Sequence, residues 1–397
     1  MTTPNARSRY PAGPVLSHLG VAVGACLCLF LLAGPVWAQP SATADRGRCP
    51  QYFFNFTDGN DFFAGLTDRH FTQGIRLSLV ERGFDTSAPD YEERLARHCT
   101  PGNIAGRAGT GTLRFFTGLV RTLGRATLGH FGFNTDTVGI VLGQNIYTPE
   151  DLSQAALIPN DRPYAGWLYL GFEFFHERKD REIAGFQADS LDTVEVDLGV
   201  IGPASGAEKS QREWHDFIGD EDPKGWDNQL HNEFALLIAY DRKYRIRLAK
   251  SEGLRPGVDV IPSAGGTLGN VFTYVAAGGV VRVGYNLSAD YGPPRIRPGT
   301  QGSDFFDTAE NPPGRFMAYL YTGVEGRLVA QDIFLDGNTF KTSHAVNKRY
   351  FVGDWQFGGA LAYDRFRFAY TLIYRSQEFK GQFEPDIFGS VTLSIRF

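Results

Sequence analysis

From Ser390 to Phe397 the side chains alternate without interruption, with Val391, Leu393, Ile395 and Phe397 on one face and Ser390, Thr392, Ser394 and Arg396 on the other. A period of two with one apolar face predicts a strand. The same period recurs upstream. Val194, Val196, Leu198 and Val200 oppose Thr193, Glu195, Asp197 and Gly199, and Leu168, Leu170, Phe172 and Phe174 oppose Tyr169, Gly171 and Glu173. Phe234, Leu236, Ile238 and Tyr240 oppose His231, Glu233 and Ala235. About twelve such segments can be drawn, near 51-57, 72-82, 135-147, 165-178, 188-202, 229-248, 256-267, 271-286, 315-330, 350-364, 366-376 and 389-397. An even set of roughly ten-residue alternating strands predicts an all-β, antiparallel transmembrane barrel. A soluble sheet with one wet face alternates in the same way.

The two ends of the chain separate these readings. Arg7 and Arg9 precede an uncharged apolar run from Val21 to Ala33, and small residues follow at Val36 and Ala38. That order predicts a signal peptide over 1-38, with the mature protein, 39-397, starting at Gln39. At the other end, a final strand closing on Phe397 is the pattern that barrel assembly machinery accepts. Beyond residue 38 no apolar run reaches the ~20 residues of a spanning helix, and the mean hydropathy of -0.23 agrees. Aromatic residues at 14% and 47 glycines suit interfacial girdles and tight turns. A net charge of -5 leaves no basic footprint for nucleic acid.

With the N-terminus in the periplasm, loops after odd-numbered strands lie outside the cell and loops after even-numbered strands lie in the periplasm. Residues 83-134 then become a long periplasmic insertion, with a predicted amphipathic helix from about Phe115 to Leu128. Of the four cysteines, Cys26 and Cys28 leave with the signal peptide. Cys49 and Cys99 fall on the oxidising periplasmic side, where a disulfide is expected.

Three polar clusters fall in extracellular loops. The first is Asn60-Asp61 with Thr67 to Gly74, the second Gln144 to Pro149 with Asp161 to Trp167, and the third Gly199 to Pro203 with Gln211, His215, Glu221 and Pro223 to Gln229. In the third, Ser205 and Glu208 have capping-box spacing and Gly219 is a stop, which predicts a short extracellular helix. Residues four apart share a helix face, so Gln211 and His215 would stack, with Trp214, Phe217 and Ile218 largely on another face. An imidazole so held suits a general base; a surface helix whose histidine does nothing is the alternative. Asn60 and Asp61 offer hard oxygens that suit Ca²⁺ and not zinc, and equally the chemistry of a turn. Among catalytic motifs, G-x-S-x-G, H-E-x-x-H and the phosphate-binding P-loop do not occur.

In this order and with these residues, the three clusters resemble the outer-membrane lipid A deacylases of the LpxR type. The resemblance runs intermittently from about Asn60 to Phe397. It implies a twelve-stranded barrel and a Ca²⁺-dependent esterase that removes the 3′-linked acyloxyacyl group of lipid A in lipopolysaccharide. Carried over by motif position, the family's functional residues fall on Asn60, Asp61, Thr72, Gln211, His215 and Glu221. His215 would activate water, and Asp61 would help hold Ca²⁺. Thr72 shares strand parity with Gly74, Arg76 and Ser78, opposite to Ile75, Leu77 and Leu79, and is expected to point away from lipid. Residues 148-160 depart from the family in containing Glu150 and Asp151 and no Lys or Arg. A phospholipid esterase and a non-catalytic pore or structural barrel are the competing readings.

Overall fold

Twelve antiparallel strands close on themselves in the computed structural model, which describes residues 50-65, 70-83, 104-133, 135-219, 221-249, 256-287, 290-299, 302-306 and 316-397. The order is β1 (Gln51–Asn60), the single turn α1 (Phe62–Gly65), β2 (His70–Arg82), the long helix α2 (Ile104–Thr127), β3 (Thr137–Thr148), β4 (Ala165–Ile183) and β5 (Phe186–Ile201). Then follow α3 (Ala207–Ile218), β6 (Glu233–Ala249), β7 (Gly257–Gly269), β8 (Phe272–Tyr285) and β9 (Phe316–Asp332). The short α4 (Ile333–Asp336), β10 (Phe351–Tyr363), β11 (Phe366–Arg375) and β12 (Asp386–Arg396) complete the chain. Each strand pairs with its sequence neighbour, and β12 returns to β1 with Thr57 opposite Thr392. Tyr52 and Phe397 exchange backbone hydrogen bonds of 3.0 and 2.9 Å, so the last residue seals the seam and no sheet edge is left open.

The alternation sorts side chains between two solvents. Leu142, Leu170, Leu198, Leu236, Val324 and Phe357 are exposed on the outer wall, while Arg76, Glu173, Glu195, Asp241, Arg327 and Asp354 are buried in the lumen. An apolar exterior on a closed barrel is what a bilayer requires, because every backbone group is then satisfied within the sheet. Among the described residues no helix is long and apolar enough to cross a membrane.

One loop does not lie where alternation puts it. The connection between β8 and β9, expected in the periplasm, folds back into the lumen over its described part. Asp304 accepts from Arg76 at 2.5 Å and its carbonyl from Asn55 at 2.7 Å, while Arg297 reaches Glu195 at 2.7 Å and Asp241 at 3.1 Å. Asp290 meets both Arg282 and Arg367, and Phe305 and Phe306 pack on Phe53. The physical reason is charge. Lumen parity collects carboxylates at Glu173, Glu195, Asp197 and Asp241, and buried carboxylates need cations close by. At the extracellular mouth Phe334 of α4 stacks on Tyr147 with ring centroids 3.9 Å apart, and the Arg162 guanidinium lies over the same Tyr147 ring, bonded to Glu378 at 2.7 Å.

Smaller departures are local. β6 begins at Glu233 and not at 229, because Trp226–Asn228 form a 3-10 turn and His231 is tied through its backbone to the Asn338 side chain. β12 begins at Asp386 and not at 389. The helix expected from Phe115 is longer and starts at Ile104. Residues 1-38, Cys49 and Cys99 lie outside the described residues.

Candidate functional site

Strand register carries one row of residues across the outer wall near its extracellular end. Gly389 pairs with Asn60, Asn60 with Gln73, Gln73 with Ile146 and Ile146 with Gly166. Directly paired residues share a face, so the row spans from Asn60 to Gly166 in three strand spacings, about 14 Å. At its far end a Cβ on Gly166 would collide with Ser205 Oγ and Ala207 Cβ, so only glycine lets the start of α3 sit on the wall there. Gly202 donates to the Gly166 carbonyl at 2.9 Å, and Gln144 to the Ser205 carbonyl at 2.8 Å. The helix is therefore clamped to β3 and β4 from outside, over Ile146, Tyr164 and Trp226.

How α3 starts differs from the expected capping box. Ser205 closes a 3-10 turn, with its hydroxyl donating to the Gly202 carbonyl at 2.6 Å, and the N-cap is Gly206, without a side-chain cap. The stop is as expected: Gly219 has a φ of 77° and its N–H bonds to the His215 carbonyl.

Gln211 and His215 do share the covered face, at 1% and 3% exposure. Gln211 Oε1 accepts from the Trp226 indole at 2.9 Å, which leaves its amide N–H groups as the donors of that side chain. His215 Nδ1 lies 2.6 Å from the Glu221 backbone carbonyl. A carbonyl can only accept, so Nδ1 carries a proton, and in the neutral ring Nε2 is then the basic nitrogen. Glu221 thus holds the imidazole through its backbone, and its own side chain is exposed. Trp214 is half-buried.

Thr72 overturns its parity. It is the extra residue of a bulge between Phe71 and Gln73, and its hydroxyl lies 2.6 Å from that of Thr148, two positions beyond Ile146 on the same face. The bulge re-aims Thr72 from lumen to outer wall, beside the row. Asn60 and Asp61 are 5% and 3% exposed at the end of β1. One neighbour on that wall was not singled out in the sequence, Asp58, whose carboxylate is hydrogen-bonded by the side chain of Gln73, a member of the first cluster without an assigned role. Asp58 Oδ1 is buried without a hydrogen-bond partner among the described residues. The signal was present, since Asp58 shares parity with Phe54 and Phe56 and so places an acid on the lipid-facing side. Trp226, which holds Gln211, stood in the third cluster without an assigned role.

For a cation, the donors gathered near Asn60 are carboxylate, amide and hydroxyl oxygens, a set that fits Ca²⁺ and not a thiophilic metal. Among the described residues no trio of His, Cys, Asp and Glu is arranged to hold a metal. The second cluster has a different part. Arg162 donates to Glu378 at 2.7 Å and lies over Tyr147 and Phe379, and His70 meets Asp386 at 2.6 Å. Burial would lift the Glu378 carboxyl, but the Arg375 and Arg162 guanidiniums outweigh it and hold it below the usual carboxylate range. Arg162 and Tyr147 of this cluster close the mouth of the barrel, while its Gln144, Ile146, Tyr164 and Gly166 seat α3.

The solved structure of LpxR from Salmonella typhimurium aligns over 86% of this chain and 99% of its own, with 18% identity and a TM-score of 0.60, which speaks to the fold. The translocator domain of the autotransporter NalP from Neisseria meningitidis covers 98% of this chain at 8% identity and a TM-score of 0.35. No curated protein sequence matches. The sequence profile of the family described as Outer membrane protein LpxR matches residues 25–397. With a match of that extent, the chain belongs to the LpxR family of outer-membrane proteins.

Proposed function

We propose that this protein is an outer-membrane ester hydrolase that removes the 3′-linked acyloxyacyl group of lipid A, with His215 as general base. The observation that carries this reading is the fixed imidazole: His215 is buried under α3 on the outer wall, and its Nδ1 proton is held by the Glu221 carbonyl. That wall, at its extracellular end, meets the leaflet that holds lipid A. His215 Nε2 takes a proton from water as the water oxygen bonds to the acyl carbon. The ester C–O bond then breaks, and the same proton passes to the departing sugar alkoxide. No acyl-enzyme is needed. The Gln211 amide, Thr72 and Asn60 position the ester and the water. Asp61, with Asp58 and Asn60 beside it, would hold Ca²⁺, which when bound polarises the ester carbonyl as a Lewis acid.

One feature favours phospholipid as the substrate. Residues 148-160 carry no cation for sugar phosphates, and the Asp151 carboxylate is held below its usual range by hydrogen bonds from Ser153 and Gln154. A pore reading is disfavoured by the salt-bridged loop that occupies the lumen.

Purified protein incubated with lipid A and, separately, with phospholipid separates these readings by mass spectrometry. Loss of the acyloxyacyl mass from lipid A, abolished by chelator and restored by Ca²⁺ but not Zn²⁺, is the expected result. Free fatty acid from phospholipid with lipid A intact overturns the lipid A assignment, and full activity in excess chelator removes the metal.

A further inference from the structure

The insertion between β2 and β3 holds a second helix against the outer wall, at the opposite end of the same strands. Glu81 pairs with Tyr52 and Val138 and lies at the same parity as Ile75, Leu77 and Leu79, so its carboxylate is on the lipid side of the barrel. Thr117 and Arg121 of α2 cover it, the latter at 2.7 Å. Val120 packs on Val138 and Phe174, and a Cβ at Gly124 would come within 2.6 Å of the Phe174 ring, so the helix is pressed directly onto the wall.

What α2 turns away from the barrel is apolar. Phe115, Phe116, Leu119 and Leu123 fall within roughly 100° of arc, since each residue turns the helix by about that angle. Phe115 is 68% exposed and Leu119 64%. Phe131, in the 3-10 turn that follows, is 86% exposed. The helix contains Arg107, Arg114, Arg121 and Arg125 and neither Asp nor Glu.

Depth decides what meets this face. Ile146 and Val138 are eight positions apart on β3, about 20 Å along the axis of a tilted strand, against an apolar band of about 25 Å. With α3 at the outer leaflet, α2 lies at the inner one, continuous with the lipid-facing wall. Apolar exposure with a purely basic charge complement at that depth matches one surface, phospholipid with anionic headgroups.

We propose that α2 and its 3-10 turn form an interfacial helix embedded in the inner, phospholipid leaflet of the outer membrane. Phe115, Phe116, Leu119 and Leu123 insert among acyl chains, and Arg114 and Arg125 engage anionic headgroups. This assignment is independent of the catalytic reading.

The test uses the full mature chain with Cys49→Ser and Cys99→Ser, an NBD fluorophore on Leu119→Cys, and liposomes of phosphatidylcholine with phosphatidylglycerol. Expected is quenching of at least about twofold by doxyl-labelled phosphatidylcholine and protection from iodide, with the opposite pattern for NBD on Lys209→Cys of α3. Iodide quenching at Leu119 without lipid quenching, in protein whose heat-modifiable gel mobility shows a folded barrel, overturns the proposal. Leu123→Cys carries the same test if the first variant does not fold. Lipid quenching should deepen with phosphatidylglycerol content and lose that dependence in Arg114→Gln/Arg125→Gln. Quenching indifferent to phosphatidylglycerol overturns the anionic preference.

Discussion

β3 and β4 carry a helix on their outer face at each end, and the two helices invert each other. α3 turns Gln211 and His215 toward the wall and Lys209, Arg212 and Glu213 away from it, in the exposed pairs Lys209–Glu213 and Arg212–Glu208. α2 turns Thr117 and Arg121 toward the wall and phenylalanine and leucine away. Both cover polar atoms on a surface otherwise given to lipid, where an uncovered charge is costly. The chemistry left beneath them differs. Under α2 the guanidinium and hydroxyl are spent on Glu81, which is how a cover anchors. Under α3 the Trp226 indole and the Glu221 carbonyl each hold one side of Gln211 and His215, and so set how the amide and the imidazole are turned. One cover neutralises; the other orients.

The largest test of this contrast is His215→Ala, expected to lower lipid A deacylation by ~10²-10⁴ with a folded barrel. Arg121→Ala, the corresponding loss under α2, should leave turnover unchanged. Acyloxyacyl release from lipid A, beside heat-modifiable mobility, reads both. Near-native turnover by folded His215→Ala would discard the base.

Next comes the seat of each helix. Gly166→Val should lift α3 from the wall and cost about 10² in kcat, because catalysis is that sensitive to displacement of about 1 Å. Gly124→Val should lift α2 against Phe174 and spare kcat. Equal loss in both variants would mean that the two ends are coupled.

Arg121→Ala should instead lower stability by roughly 2 kcal/mol in urea unfolding, by leaving the covered Glu81 charge unsatisfied. Glu81→Gln on that background should recover most of the loss, and failure to do so would show that packing dominates.

The smallest effect is at the mouth. The folded Glu378 carboxyl titrates below its unfolded value, so its pairing with Arg162 and Arg375 contributes fully above about pH 4.3 and fades as pH falls through the lower folded value. Glu378→Gln should flatten that acid limb of stability. A variant with an unchanged limb would assign the acid sensitivity to other carboxylates.

The barrel was legible because a bilayer outside and a polar lumen inside impose period two on every strand. What escaped were the places where the backbone departs from that period or a residue is claimed by a local partner. The bulge at Thr72 reverses parity within one residue, and alternation cannot register it. Ser205 has the spacing of a cap, but its hydroxyl is taken by Gly202 within a turn. The returning loop reads as polar connection, since Arg295 and Arg297 acquire meaning only beside lumen carboxylates, Asp304 beside Arg76 and Phe305 beside Phe53, all contributed by distant strands. Gln211, His215 and Gly219 were readable because helix spacing is local, whereas Asp58 and Glu81 went unmarked, their only signal being an acid on an apolar face.

The filled lumen has a kinetic corollary. A salt-bridged loop of the chain itself lies across the described part of the lumen, so the proposed site on the flank would be fed sideways by diffusion within the membrane plane. Turnover at such a site should follow the mole fraction of substrate in the surrounding lipid film and not its bulk concentration. Diluting the substrate with inert detergent in mixed micelles, at constant total substrate, should slow the reaction in proportion.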